Sequence, residues 1–147
     1  METLVAFYSR TGNTKKVGKE IAKNLNADFS EIIDLKNRKG FISLITAGKD
    51  ATKKKLTKIE YKKDPSKYDL VVVGTPVWAG NLTPAIRTYL SQNKFKKIAF
   101  FCTCVNNKGN CFNEMEKLSK KPVLVLELTS RKIKDYDKIK EFCKSLK

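Results

Sequence analysis

Four short stretches of this chain are apolar almost from end to end: TLVAFY (residues 3–8), DLVVVG (69–74), KIAFFCTC (97–104) and PVLVLEL (122–128). Each is too short for a core helix and rich in β-branched or aromatic residues, so each reads as a strand. A strand with one wet face alternates polar and apolar residues, and these do not. They are therefore expected to be buried on both faces, as strands of a parallel sheet covered by helices are.

Parallel neighbours need long crossover connections, and the intervening segments supply them. After Asn13, Val17, Ile21 and Leu25 recur every four residues among lysines, which predicts an amphipathic helix from near Thr14 to Asn24–Asn26. FSEIIDL (29–35) is a further strand candidate. Pro84 opens the helical segment PAIRTYLSQ, a first-turn position that suits proline. NEMEKLSKK (113–121) and DYDKIKEFCKSL (135–146) complete the helices, the last with Tyr136, Ile139, Phe142, Cys143 and Leu146 on one face. Right-handed crossovers then give an α/β fold: a three-layer, doubly wound sandwich around a five-stranded parallel sheet. Residues 36–67 must hold another crossover helix, with Phe41, Ile42, Leu44 and Ile45 as its apolar face. They carry eleven basic against three acidic residues.

At 147 residues the chain is expected to form a single domain, 1–147, and its 41% hydrophobic content is that of a globular protein. No run approaches the roughly 18 apolar residues of a membrane span. Met1-Glu2-Thr3 does not begin a signal peptide, so a cytoplasmic location and reduced cysteines are expected. Cys102, Cys104 and Cys111 cluster, but the chain has no histidine and no C-x-x-C pair, so no metal site is expected. The formal charge of +16 comes from 27 lysines and only 4 arginines, spread along the chain. Nucleic-acid readout favours arginine forks, so neither nucleic acid nor membrane is the expected partner. An acidic protein is.

The chemistry concentrates where the first strand ends. Ser9, Arg10, Thr11, Gly12, Asn13 and Thr14 follow it directly and lead into the first helix. Ligands of a doubly wound sheet sit outside the carboxyl ends of its strands, and backbone N–H groups at a helix N-terminus favour an anion. Gly12 lets the chain curl closely; three hydroxyls, one amide and the backbone N–H groups, that of Arg10 included, can donate. One N-cap would need one such residue, not six. The fingerprints G-x-G-x-x-G and G-x-x-x-x-G-K-[ST] are absent. A cage for one phosphate monoester suits FMN better than NAD or ATP. Trp78, the sole tryptophan, lies in a loop between Pro76 and Gly80, where a flat indole can stack on a flat ring.

S-R-T-G-N-T after an N-terminal strand resembles the phosphate-binding signature of flavodoxins, T/S-x-T-G-x-T. Two further segments fall where that resemblance places them. GTPVWAGNLTPAIRTYL (74–90) resembles the loop that holds the isoalloxazine ring, and FFCTCVNNKGNCF (100–112) the loop that closes over its pyrimidine side. The resemblance implies FMN as cofactor and the strand order 2-1-3-4-5. It also implies ring contacts from Pro76, Val77, Trp78, Ala79, Gly80 and Asn81, and from Thr103, Cys104 and Asn110. The Ala79–Gly80 peptide is the candidate for a flip toward flavin N5 on one-electron reduction. The third loop lacks the glycines of T-x-G-G, and the basic charge departs from the usual acidity of the family. The implied function is low-potential electron transfer between redox partner proteins, with no catalytic residue of its own. The alternative is an NAD(P)H oxidoreductase acting on quinones or other small acceptors.

Overall fold

The computed structural model describes residues 1–36 and 56–147. Five parallel strands form the main sheet: β1 (Thr3–Phe7), β2 (Asp28–Glu31), β5 (Leu70–Pro76), β6 (Lys97–Cys104) and β7 (Val125–Thr129), in the order β2-β1-β5-β6-β7. Counting only these strands, the order is 2-1-3-4-5, as expected. The helices are α1 (Asn13–Leu25), α2 (Pro84–Gln92), α3 (Cys111–Leu118) and α4 (Tyr136–Leu146). The crossover helix expected around Phe41–Ile45 lies outside the described residues.

Burial on both faces is what the apolar strands require, and the core divides accordingly. Leu4, Ala6, Val71, Val73, Ile98, Phe100 and Cys102 point to one side, where Ile86, Leu90 and Met115 of α2 and α3 cover them. Val5, Phe7, Val72, Ala99 and Phe101, their immediate neighbours in sequence, point to the other, under Val17 and Ile21 of α1 and Ile139 and Phe142 of α4. Alternation along a strand thus survives as a choice of layer, not of polarity. Burying each such side chain is worth about 1.5–3 kcal/mol relative to leaving it exposed. Helix α1 lies especially close to β1, because Gly18 faces the ring of Phe7 with no room for a side chain.

FSEIIDL is the one candidate strand that splits. Ile32 is fully buried and its N–H still donates to Phe7 O, but beyond it the chain leaves the sheet. There β3 (Ile33–Asp34) pairs antiparallel with β4 (Ile59–Glu60) in a separate two-stranded ribbon. At the other edge β7 begins at Val125, not Pro122, although Val123 N–H already donates to Ile98 O at 2.8 Å and Leu124 O accepts from Phe100 N–H at 3.1 Å.

Candidate functional site

The carboxyl ends of β1, β5, β6 and β7 surround one cavity of about 370 Å³, within the range of about 300–1,000 Å³ typical of ligand pockets. Ser9, Arg10, Thr11, Asn13 and Thr14 line it from the first loop, Pro76, Val77, Trp78 and Ala79 from the second, and Thr103 and Cys104 from the third. Three segments far apart in sequence are thus brought to one concavity.

In the first loop Gly12 adopts φ +105°, a conformation open to glycine, and precedes α1 as its N-cap. No side chain caps α1, and its first turn carries no acidic residue. The hydroxyls are therefore not there as caps. Ser9 Oγ accepts the Gly12 N–H at 3.1 Å, which tightens the curl and leaves the Ser9 O–H to donate elsewhere. Thr14, at 2% exposure, shares a 2.7 Å hydrogen bond with Thr103 Oγ1, tying this loop to the third. Gly12 shapes the loop without lining the cavity.

The second loop is a two-residue hairpin. Trp78 N–H donates to Asn81 O at 2.9 Å and Asn81 N–H to Trp78 O at 3.0 Å. Ala79 and Gly80 between them have φ of +51° and +72°, the signature of a type I′ turn. For alanine that conformation is strained by about 1–2 kcal/mol, and such strain gathers at functional sites. Trp78 is only 9% exposed, edge-on to Tyr8 with ring centroids 5.6 Å apart. It anchors the loop to the core and contributes to the cavity wall as well.

Three expected contacts turn away from the cavity. Gly80 O accepts the Asn110 N–H at 2.9 Å, and a side chain on Gly109 would stand 2.7 Å from the Gly80 backbone. The backbone freedom expected at Gly80 is thus clamped by the third loop. Asn110 Nδ2 reaches Glu114 Oε1 at 3.4 Å. Asn81 Oδ1 accepts from Leu82 N–H at 2.9 Å and Arg87 Nη2 at 3.0 Å. The resemblance implied ring contacts from both asparagines; here their side chains hydrogen-bond within the second and third loops.

Arg87 was not visible as part of the site, because one arginine in PAIRTYLSQ reads as a surface residue. It is 4% exposed and forms a buried ion pair with Glu114 at 3.5 Å, and the pair hydrogen-bonds Asn81 of the second loop and Asn110 of the third. Val105, Ser130 and Ile133 also line the cavity unanticipated. Ser130 and Ile133 follow β7, whose carboxyl end belongs to the same crevice by topology.

Burial pushes the Cys104 thiol above its ordinary range, with nearby Glu127 adding to the shift. Among the described residues no carboxylate lines the cavity. Hydroxyls, an amide, an arginine and the open end of α1 converge on one side, while Val77, Trp78, Cys104, Val105 and Ile133 offer apolar surface on the other. Such a donor set fits a phosphate monoester carried by a flat, largely apolar group. No helix among the described residues is long and apolar enough to cross a membrane.

None of the curated proteins matches the chain. Among solved structures, a flavoprotein from Lactobacillus acidophilus NCFM in complex with FMN is similar at 22% identity and TM-score 0.73, over 92% of this chain and 98% of that one. Oxidised flavodoxin 2 from Bacillus cereus is similar at 19% identity and TM-score 0.60, over 99% and 97%. Two-electron reduced flavodoxin from Megasphaera elsdenii is similar at 12% identity and TM-score 0.61, over 97% and 98%. At these identities the likeness is one of fold. The flavodoxin domain family itself matches residues 4–131, a span that takes in all three loops of the cavity. With that match, and with the sheet order and crevice that it entails, the chain belongs to the flavodoxin domain family.

Proposed function

We propose that the protein binds FMN in this cavity and carries electrons between partner proteins. The observation that supports it most is the convergence of the hydroxyl-rich first loop with the Trp78 hairpin and the Thr103–Cys104 strand end on a single cavity free of lining carboxylates. In this reading Ser9, Thr11, Asn13 and Thr14, with the N–H groups opening α1, hold the phosphate. Val77, Trp78 and Ala79 take one side of the ring and Thr103, Cys104 and Val105 another. The flavin supplies the electron chemistry; the chain supplies binding, orientation and exclusion of water.

The rim favours an acidic partner. Val105, 75% exposed, stands beside the cavity with Arg10, and Lys108, Arg131, Lys132 and Lys134 lie on the adjoining segments. An apolar spot flanked by these basic segments suits a transient contact with a carboxylate-bearing surface, steered by charge.

The visible spectrum of the protein incubated with FMN, followed by anaerobic reductive titration, tests the reading. Tight uptake and reduction in two resolved one-electron steps are expected. Failure to take up FMN overturns the binding site. Rapid bleaching by NAD(P)H alone replaces the carrier with an oxidoreductase.

A further inference from the structure

Cys102 and Cys104 lie two residues apart on β6, so the strand's period of two turns both thiols to the same face. Glu127 of β7 stands directly opposite Cys102 in the parallel register. Two sulfurs and a carboxylate oxygen from these residues lie within 4.8 Å of one another. Cys102 is fully buried, Cys104 5% exposed and Glu127 half-buried. The absence of histidine and of C-x-x-C hides this grouping in the sequence, because one ligand comes from the neighbouring strand.

We propose that Cys102, Cys104 and Glu127 form a binding site for one thiophilic divalent cation of the zinc class. Metal–sulfur bonds of about 2.3 Å and metal–oxygen bonds of about 2.0 Å at tetrahedral angles need ligand atoms roughly 3.5–3.8 Å apart. The three ligand atoms already lie within 4.8 Å of one another, so binding would draw them inward by about an ångström at most. Glu127 is already oriented: its Oε2 accepts the Lys108 N–H at 2.6 Å, the kind of outer hydrogen bond that holds a ligating carboxylate in place. Binding as thiolates is a displacement: two S–H bonds break, two metal–sulfur bonds form, and two protons leave to solvent. Two thiolates and a carboxylate then neutralise the ion with one negative charge in excess. A buried pair of sulfurs selects a soft cation over Mg²⁺ or Ca²⁺. The bound ion would join the ends of β6 and β7 under the third loop, next to the cavity that Cys104 lines.

The site does not depend on flavin, so its test uses the reduced, metal-free and flavin-free protein. Titration with Cd²⁺, read by thiolate-to-metal ultraviolet absorbance and by bound metal after desalting, should saturate at one ion per chain. Cys104→Ser and Glu127→Gln should each weaken binding at least about ten-fold. Cys143→Ser, whose thiol lies in the opposite layer of the core, should bind as the parent does. Glu127 is half-buried, so its variant reports even where a cysteine variant fails to fold. Absence of saturable binding at one equivalent overturns the proposal. So does unaltered binding by Cys102→Ser/Cys104→Ser, or loss of binding in Cys143→Ser.

Discussion

Arg87→Leu is the substitution that most directly probes how the second and third loops are held. The guanidinium is 4% exposed, pairs with Glu114 at 3.5 Å and donates to Asn81 Oδ1 at 3.0 Å. Breaking a buried ion pair from one side typically costs about 3–5 kcal/mol, because the remaining charge keeps its desolvation. Here the loss is smaller. Glu114 keeps Lys117 at 3.7 Å and Asn110 at 3.4 Å, and Arg87 Nε, buried without a hydrogen bond, ceases to be a burden. Removing such an unpaired donor returns about 1–3 kcal/mol, so a net destabilisation centred on about 2 kcal/mol is expected. Replacing both partners, Arg87→Leu with Glu114→Leu, leaves no orphan charge and should cost only about 1 kcal/mol. Urea denaturation of the parent, both single variants and the double variant, at constant m-value, gives the coupling. A double variant destabilised by the sum of the two singles would show no coupling and would sink this account of the clamp.

Ala79→Gly should raise stability by about 1 kcal/mol, since glycine accepts φ of +51° without the steric cost alanine carries; a lower thermal midpoint would contradict the strained turn. Asp28 accepts from Tyr68 Oη at 2.7 Å and from Lys63 Nζ at 3.2 Å, and these hold its carboxyl below the usual value of 3.8. A depressed folded value means that the stabilisation is present above pH 3.8 and is lost as pH falls through the folded value. Tyr68→Phe should therefore flatten the acid limb of a midpoint-against-pH curve, and an unchanged limb would refute the assignment. The same phenol is pushed up to about 12, so no tyrosinate from Tyr68 should be seen at pH 10 in the folded protein. With FMN bound, the net charge of +16 should place the second-electron potential above that of acidic flavodoxins at low salt. Added salt should narrow the gap, because screening acts over roughly 10 Å at 0.1 M; a potential equally low at every ionic strength would exclude the charge effect.

The sheet was legible because parallel strands buried on both faces leave a signal within each strand, as where KIAFFCTC coincides with β6; the proline-led segment PAIRTYLSQ likewise coincides with α2. FSEIIDL was not, since its break after Ile32 is decided by pairing with Ile59–Glu60, which local pattern does not encode. The first loop was legible from its excess of donors over what one cap needs. Which side of a loop a polar residue faces is a tertiary matter, so the hydrogen bonds of Asn81 to Arg87 and of Asn110 to Glu114 were not legible. Arg87 is harder still, because only its 4% exposure separates it from an ordinary helix-surface arginine.

Those hydrogen bonds bear on binding as much as on stability. The three loops meet through Thr14–Thr103 at 2.7 Å, Asn110 N–H to Gly80 O at 2.9 Å, and Arg87 between Asn81 and Glu114. Asn110, Gly80, Arg87 and Glu114 contribute no lining, yet they fix the second loop against the third. Ordering a loop on binding costs about 0.5–1.5 kcal/mol for each side chain immobilised, and a cavity already tied together avoids much of that. Loosening these ties should weaken ligand binding without removing any ligand contact. Gly109→Ala, whose side chain would stand 2.7 Å from the Gly80 backbone, should therefore weaken FMN uptake in a spectral titration, and unchanged affinity would refute the link.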